Sequence, residues 1–140
     1  GGVYPGIERL LPLVDYLIPS EEFSLKYTGA EEAQAAARAL HAAYHPEVLL
    51  ITQGSRGGLL YDGRAFARYP AFPVEAVDTN GAGDVFPGAF VAARLRGMAP
   101  LEAARFASAV SALKCTRLGA RQGVPSWEEA MAFLKSREEG

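Results

Sequence analysis

Residues 78–84 read Asp-Thr-Asn-Gly-Ala-Gly-Asp, and they hold most of the chemistry this sequence can offer. Gly81 and Gly83 let a backbone approach a ligand closely. An apolar helical pattern starts at Ala82. The first N–H groups of a helix lack partners inside it, and the helix dipole favours negative charge in front of them. These residues are the makings of an anion site. Asp84 adds a carboxylate to the same first turn, where it would repel a bound anion. Its presence makes sense if Asp84 takes a proton from a hydroxyl that attacks a phosphate. The alternative is that Asp84 only stabilises the helix N-terminus. The local pattern alone divides the two evenly.

Two other glycine motifs are excluded. The third glycine of a dinucleotide fingerprint would fall at Phe86, and no Gly-Lys-Ser/Thr of a P-loop occurs. A second glycine-rich stretch, Thr52-Gln53-Gly54-Ser55-Arg56-Gly57, follows an apolar run. It is either a ligand-facing loop or a plain strand-to-hairpin connection. Lys114, Arg117 and Arg121 suit nucleotide phosphates or a solvated basic face equally well. His41 and His45 are spaced for a metal but have no third ligand nearby in sequence, so they are expected at the surface. Trp127 and Met131 fit a core better than a cofactor contact. Cys115, the single cysteine, fits a small buried hydrophobe. Tyr16, Tyr44, Tyr61 and Tyr69 fall on different elements and make no stacking platform for single-stranded nucleic acid.

Those residues need elements to position them. Residues 14–18 form a short apolar run stopped by Pro19, which predicts a buried strand. Ser20 and the acids after it suit a helix start. Thr28-Gly29-Ala30-Glu31 has the spacing of a capping box, and a helix with Ala33, Ala36, Ala37, Leu40 and Tyr44 on one face should follow it. Residues 48–52 are continuously apolar, as in a strand covered on both faces. Asp62-Gly63 lies between two short β-type runs and predicts a hairpin. A long helix should run from about Ala82 to Arg96 and end at Gly97. Pro100 should open the next helix. Ser126-Trp127-Glu128-Glu129 forms a second capping box before the last. Strands alternating with helices, then a helical tail, predict an α/β layered fold holding only part of a sheet.

Bulk properties narrow the classes. The chain has 140 residues, enough for one domain with a real core. A net charge of −2 provides no basic field for nucleic acid. No apolar run approaches the roughly 18 to 20 residues of a membrane span, and residues 1–5 do not resemble a signal peptide. One unpaired thiol fits a reducing compartment, so the expected location is cytoplasmic, without membrane or nucleic-acid partners.

The stretch 78–84, followed by Val85-Phe86 and Gly88-Ala89-Phe90, resembles the C-terminal signature of ribokinase-like (PfkB-family) sugar kinases, D-T-x-G-A-G-D. The resemblance implies that Asp84 is the catalytic base and that the N–H groups of Gly81, Ala82 and Gly83 form the anion hole for the transferred phosphoryl group. Thr52, Gly54, Ser55 and Gly57 resemble the family's strand-end loop along the nucleotide. Residues 112–125, with Lys114 and Gly119, resemble its segment beside the adenine. That segment and the Asp78-Thr79 stretch imply a monovalent cation such as K+ near Asp78, although Gly123 stands where the family often has Ser. Implied partners are ATP, Mg2+ and a sugar.

Ser20 and Phe23 stand where the family commonly has Asn-x-x-Glu, whose Glu helps to order magnesium; Glu21 or Glu22 are the candidate substitutes. With the Lys-Cys-Thr-Arg stretch, this departure leans toward the ketohexokinase-like and sulfofructose-kinase-like branches. Residues 1–140 then correspond to the C-terminal, ATP-binding part of the domain. The half carrying most of the sugar site and the lid lies outside them. A homodimer of the full-length protein is a further expectation from the family. A nucleotide-binding fragment without catalysis and a nucleoside kinase of the same fold are the alternatives.

Overall fold

The computed structural model describes residues 15–72, 82–116 and 125–139, except for the side chains of residues 82–84, 138 and 139. The chain divides into two compact units, residues 1–68 and 69–140.

The first unit is built on a four-stranded sheet of order β1-β2-β3-β4. β1 is Tyr16–Leu17, β2 Val48–Thr52, β3 Gly58–Tyr61 and β4 Phe66–Tyr69. β1 lies parallel to β2 with Tyr16 opposite Val48, and β3 lies antiparallel to it with Thr52 opposite Gly58. Helix α1 (Glu21–Thr28) and helix α2 (Ala33–Tyr44) carry the chain from β1 to β2. α2 buries Ala33, Ala36, Ala37 and Leu40 against Leu17, Leu49, Ile51 and Leu59. Small alanines let the helix sit close to the sheet. Val48 and Leu50, on the other face of β2, are also buried, as the continuous apolar run predicts. Each fully buried Leu or Ile contributes about 1.5–3 kcal/mol.

Local chemistry explains most boundaries. The Ser20 side chain accepts from the Phe23 N–H at 3.1 Å and caps α1. Gly29, at φ +75°, ends that helix and donates to Leu25 O at 2.9 Å. The capping box expected at Thr28 is not formed. Thr28 belongs to the end of α1, where its hydroxyl donates back to Ser24 O at 2.7 Å, and α2 starts without a side-chain cap. Both hairpin strands form as expected. Asp62 Oδ1 accepts from the N–H groups of Arg64 and Ala65, both at 2.8 Å, and so closes the turn between them.

The second unit is helical beyond β4: α3 spans Ala82–Leu95, α4 Pro100–Cys115 and α5 Trp127–Glu139. α3 contributes Phe86, Phe90 and Ala93 to the core, α4 contributes Phe106, Val110 and a run of buried alanines, and α5 contributes Ala130 and Leu134. Gly97, at φ +92°, ends α3 in a Schellman motif, with Met98 N–H donating to Ala93 O at 3.1 Å. Pro100 occupies the first turn of α4. The capping box at Ser126 is complete: Ser126 Oγ accepts from Glu129 N–H at 3.1 Å, and Glu129 Oε1 accepts from Ser126 N–H at 3.0 Å. Trp127 packs on Phe106 at 4.3 Å and carries the Arg96 guanidinium over its ring at 3.9 Å, a packing role. Cys115 is half-buried rather than enclosed. Among the described residues, no helix is long and apolar enough to cross a membrane.

Candidate functional site

The candidate residues fall in both units. In the first, they gather at the carboxyl end of the parallel strands, where open α/β sheets place ligands. Beyond β1, Ser20 bridges to Thr52 in parallel pairing, and Thr52 N–H donates to Pro19 O at 3.0 Å. The start of α1 therefore sits beside the end of β2.

Past half-buried Thr52 the chain makes a 3-10 turn over Gly54–Arg56. The turn is closed by Gln53 N–H to Gly57 O at 2.8 Å and Gly57 N–H to Gly54 O at 3.1 Å. Gly54 sits at φ +59° and Gly57 at φ +82°, conformations that favour glycine. A Cβ built on Gly54 would meet nothing within 4 Å, so this exposed backbone is open to a ligand's close approach. Ser55 and Arg56 are exposed beside it, whereas Gly57 is buried.

Gln53, Glu21, Arg56 and Arg68 together hold this turn. Gln53 is buried, with 8% exposure. Its amide donates to Glu21 Oε2 at 2.7 Å and accepts from the Arg68 guanidinium at 3.1 Å. The other Glu21 oxygen takes an ion pair from Arg56. The Gln53 hydrogen bond chiefly holds the Glu21 carboxyl below its ordinary 4.5; burial opposes it, and Arg56 adds to the lowering. Arg56 and Gln53 lie 35 and 32 residues from Glu21, so no local pattern announces the network.

The two carboxylates considered as magnesium substitutes both have cationic partners. Glu21 faces Arg56, and exposed Glu22 pairs with Lys26 at 3.0 Å. Phe23 stacks on Tyr27, with ring centroids 5.4 Å apart. Among the described residues no group of three His, Cys, Asp or Glu could hold a metal ion. His41 is half-buried and packs edge-on to His45 and Tyr61, as an aromatic spacer.

In the second unit α3 begins at Ala82, so Ala82, Gly83 and Asp84 occupy its first turn. The first four N–H groups of a helix, here those of residues 82–85, have no acceptor inside it. Pro87 lies inside α3 and supplies no N–H for the carbonyl of Gly83. Gly81 and Asp78 lie outside the described residues, as does Gly119. Lys114 lies in the last turn of α4, and its side chain is fully buried.

Residues 3–127 match the family model described as pfkB family carbohydrate kinase. A cytidine kinase of Thermococcus kodakarensis is 37% identical, the match covering 86% of this chain and 41% of that protein. A ribokinase of Haemophilus influenzae is 35% identical over 91% of this chain and 43% of its own length. The chain thus spans about two fifths of the length of these curated relatives. Among solved structures, the Arabidopsis thaliana ribokinase complexed with ribose and ATP superposes with a TM-score of 0.83 at 30% identity, over 91% of this chain and 43% of that one. The fold is therefore ribokinase-like α/β, and the chain belongs to the pfkB family of carbohydrate kinases.

Proposed function

We propose that the full-length protein transfers the γ-phosphoryl group of ATP to a sugar hydroxyl, and that residues 1–140 are the C-terminal, ATP-binding part of its catalytic domain. One observation carries this reading: in a pfkB-family chain, the sequence Gly81-Ala82-Gly83-Asp84 runs into the amino end of α3. Helix-start N–H groups at Ala82 and Gly83, with that of Gly81, stabilise negative charge on the transferred group. Asp84 takes the proton of the attacking hydroxyl. Thr52, Gly54, Ser55 and Gly57 lie along the nucleotide, where the open backbone at Gly54 permits close contact.

Mg2+, if bound with the nucleotide, would supply charge neutralisation at its phosphates. Magnesium commonly keeps several waters and leans on substrate phosphates, which suits a chain whose Glu21 and Glu22 already face cations. Asp78, with backbone carbonyls near Lys114 and Gly119, is the proposed seat of a monovalent cation such as K+. For Lys114 this assigns the carbonyl, since its side chain is enclosed. The protein is proposed to work in the cytoplasm, as a homodimer when full-length.

The acceptor separates the readings. The ketohexokinase-like or sulfofructose-kinase-like branch rests on Ser20, Phe23 and the Lys114–Arg117 stretch, whereas the relatives above are named ribokinase and cytidine kinase. The cytidine kinase relative favours a nucleoside acceptor as the second reading. An acceptor screen of the full-length protein across ribose, ketohexoses, sulfofructose and nucleosides decides it. Asp84→Asn should lower turnover by at least about a hundredfold while ATP still binds. Near-normal turnover would remove Asp84 from the role of base. If the isolated 140-residue chain binds ADP but phosphorylates nothing, it is a nucleotide-binding part alone.

A further inference from the structure

We infer that Glu21 is a positioning residue for the nucleotide loop: through Gln53 and Arg56 it holds the 3-10 turn Gly54–Arg56 in its ligand-receiving shape and serves no magnesium ion. The inference rests on the reading of that turn as part of an ATP site.

The geometry is specific. Glu21 is the first residue of α1, whose start is fixed by the Ser20 cap and by the pairing of Ser20 with Thr52. Both carboxylate oxygens are engaged on the same short turn. Oε2 accepts from the amide of Gln53, the residue before the turn, and Oε1 accepts from Arg56, its last residue. Gln53 is buried and is held from its other side by Arg68 of β4. The carboxylate thus clamps the turn at both ends, leaving Gly54 and Ser55 facing solvent between the two anchors.

A magnesium-ordering carboxylate needs oxygens directed at water around the ion. Glu21 directs its own at an amide and a guanidinium, and charge-assisted bonds of this kind are the stronger ones. Phe23, two residues further along α1, is stacked on Tyr27. The acidic group of this segment is therefore committed to holding protein, and Arg56 is held by Glu21 at the edge of the turn.

Steady-state kinetics of the full-length protein with its best acceptor test this, with Glu21→Ala, Glu21→Gln and Arg56→Ala compared. Losing the charge-assisted bond to the buried Gln53 amide corresponds to about a tenfold effect. Glu21→Ala should raise the KM for ATP about tenfold and leave kcat within about twofold. Glu21→Gln, whose single amide oxygen can accept from Gln53 or from Arg56 but cannot replace both carboxylate oxygens, should recover only part of that loss. Arg56→Ala, which releases only one end of the clamp, should raise the KM for ATP less than Glu21→Ala does, and the double variant should be no worse than Glu21→Ala.

A fall in kcat with unchanged KM for ATP, or a rise of about tenfold in the magnesium needed for half-maximal rate in Glu21→Gln, would overturn the positioning role. ADP binding, followed calorimetrically on the same variants, separates this inference from the proposed activity. If the unaltered protein phosphorylates no acceptor yet binds ADP, the activity fails and the about tenfold ADP weakening in Glu21→Ala still decides the role. If it binds no ADP, both fail.

Discussion

The imidazole of His41 occupies the space that a side chain on Gly63 would need: a Cβ there would stand 2.6 Å from His41 Cε1. The hairpin turn and the end of α2 are therefore packed backbone to ring. His41 in turn lies edge-on to Tyr61 at 5.4 Å, and Tyr61 stacks on Phe66 at 4.3 Å. Gly63 also sits at φ +95°, where an L side chain is strained.

Gly63→Ala should destabilise the first unit by about 2 kcal/mol through strain and overlap together. Thermal unfolding measures it. Adding His41→Ala should relieve the overlap and leave the backbone part. A double variant no more stable than Gly63→Ala would show that the ring was never the obstacle.

Glu21 makes acid stability readable. Its folded-state pKa is held below the ordinary 4.5, first by Gln53 and then by Arg56. Such a group stabilises the fold at pH above its unfolded value, and that contribution disappears as pH falls through the lowered folded value. Glu21→Gln should therefore be the less stable protein near neutrality, with the gap closing below about pH 4.5. Denaturant unfolding at several pH values checks the direction; a gap that widens in acid would contradict it.

Tyr69 sets the opposite limb. Its side chain is buried, stacked on Phe86 at 5.6 Å, and burial pushes the phenol well above its ordinary 10.0. The folded state holds this proton more tightly than the unfolded chain does. That contribution is complete below the unfolded value and declines as pH rises past about 10. Tyr69→Phe keeps the packing and should flatten the alkaline loss of stability, which unfolding followed from about pH 8 to about pH 11 reads.

The capping box at the start of α5 should cost about 1 kcal/mol to break. Ser126→Ala should lower the melting temperature of the second unit by about 4–8 °C, and Ser126→Gly by less. Loss of α5 helicity without a shift in melting would mean that α5 frays independently of its unit.

The candidate site was legible where the signal is local. The Gly-Ala-Gly-Asp run at residues 81–84 lies at a helix start, and α3 does begin at Ala82. The turn after β2 was visible because Gly54 and Gly57 supply positive φ. The clamp on that turn was not visible. In the sequence Glu21 reads as a first-turn acid or a magnesium substitute and Arg56 as a loop cation, and only the parallel pairing of β1 with β2 brings them together. Lys114, whose charge suits a phosphate contact or a solvated basic face equally, has a side chain that is fully buried, which its charge did not announce.

The same division runs through the whole molecule. By itself, the sequence determined what depends on partners within about five residues: the Ser20 and Ser126 caps, the Asp62 turn, the Gly97 helix stop and the apolar faces. Thr28 marks the boundary of that rule. Its spacing fits a capping box, but a hydroxyl that can bond backward to Ser24 serves the helix already formed. Tertiary structure decided which distant side chains meet, such as Tyr27 with Tyr44 and Glu21 with Arg56. Charge and polarity say that a group needs a partner. Which partner it finds depends on strand pairing and helix packing, whose contacts join residues far apart in the chain.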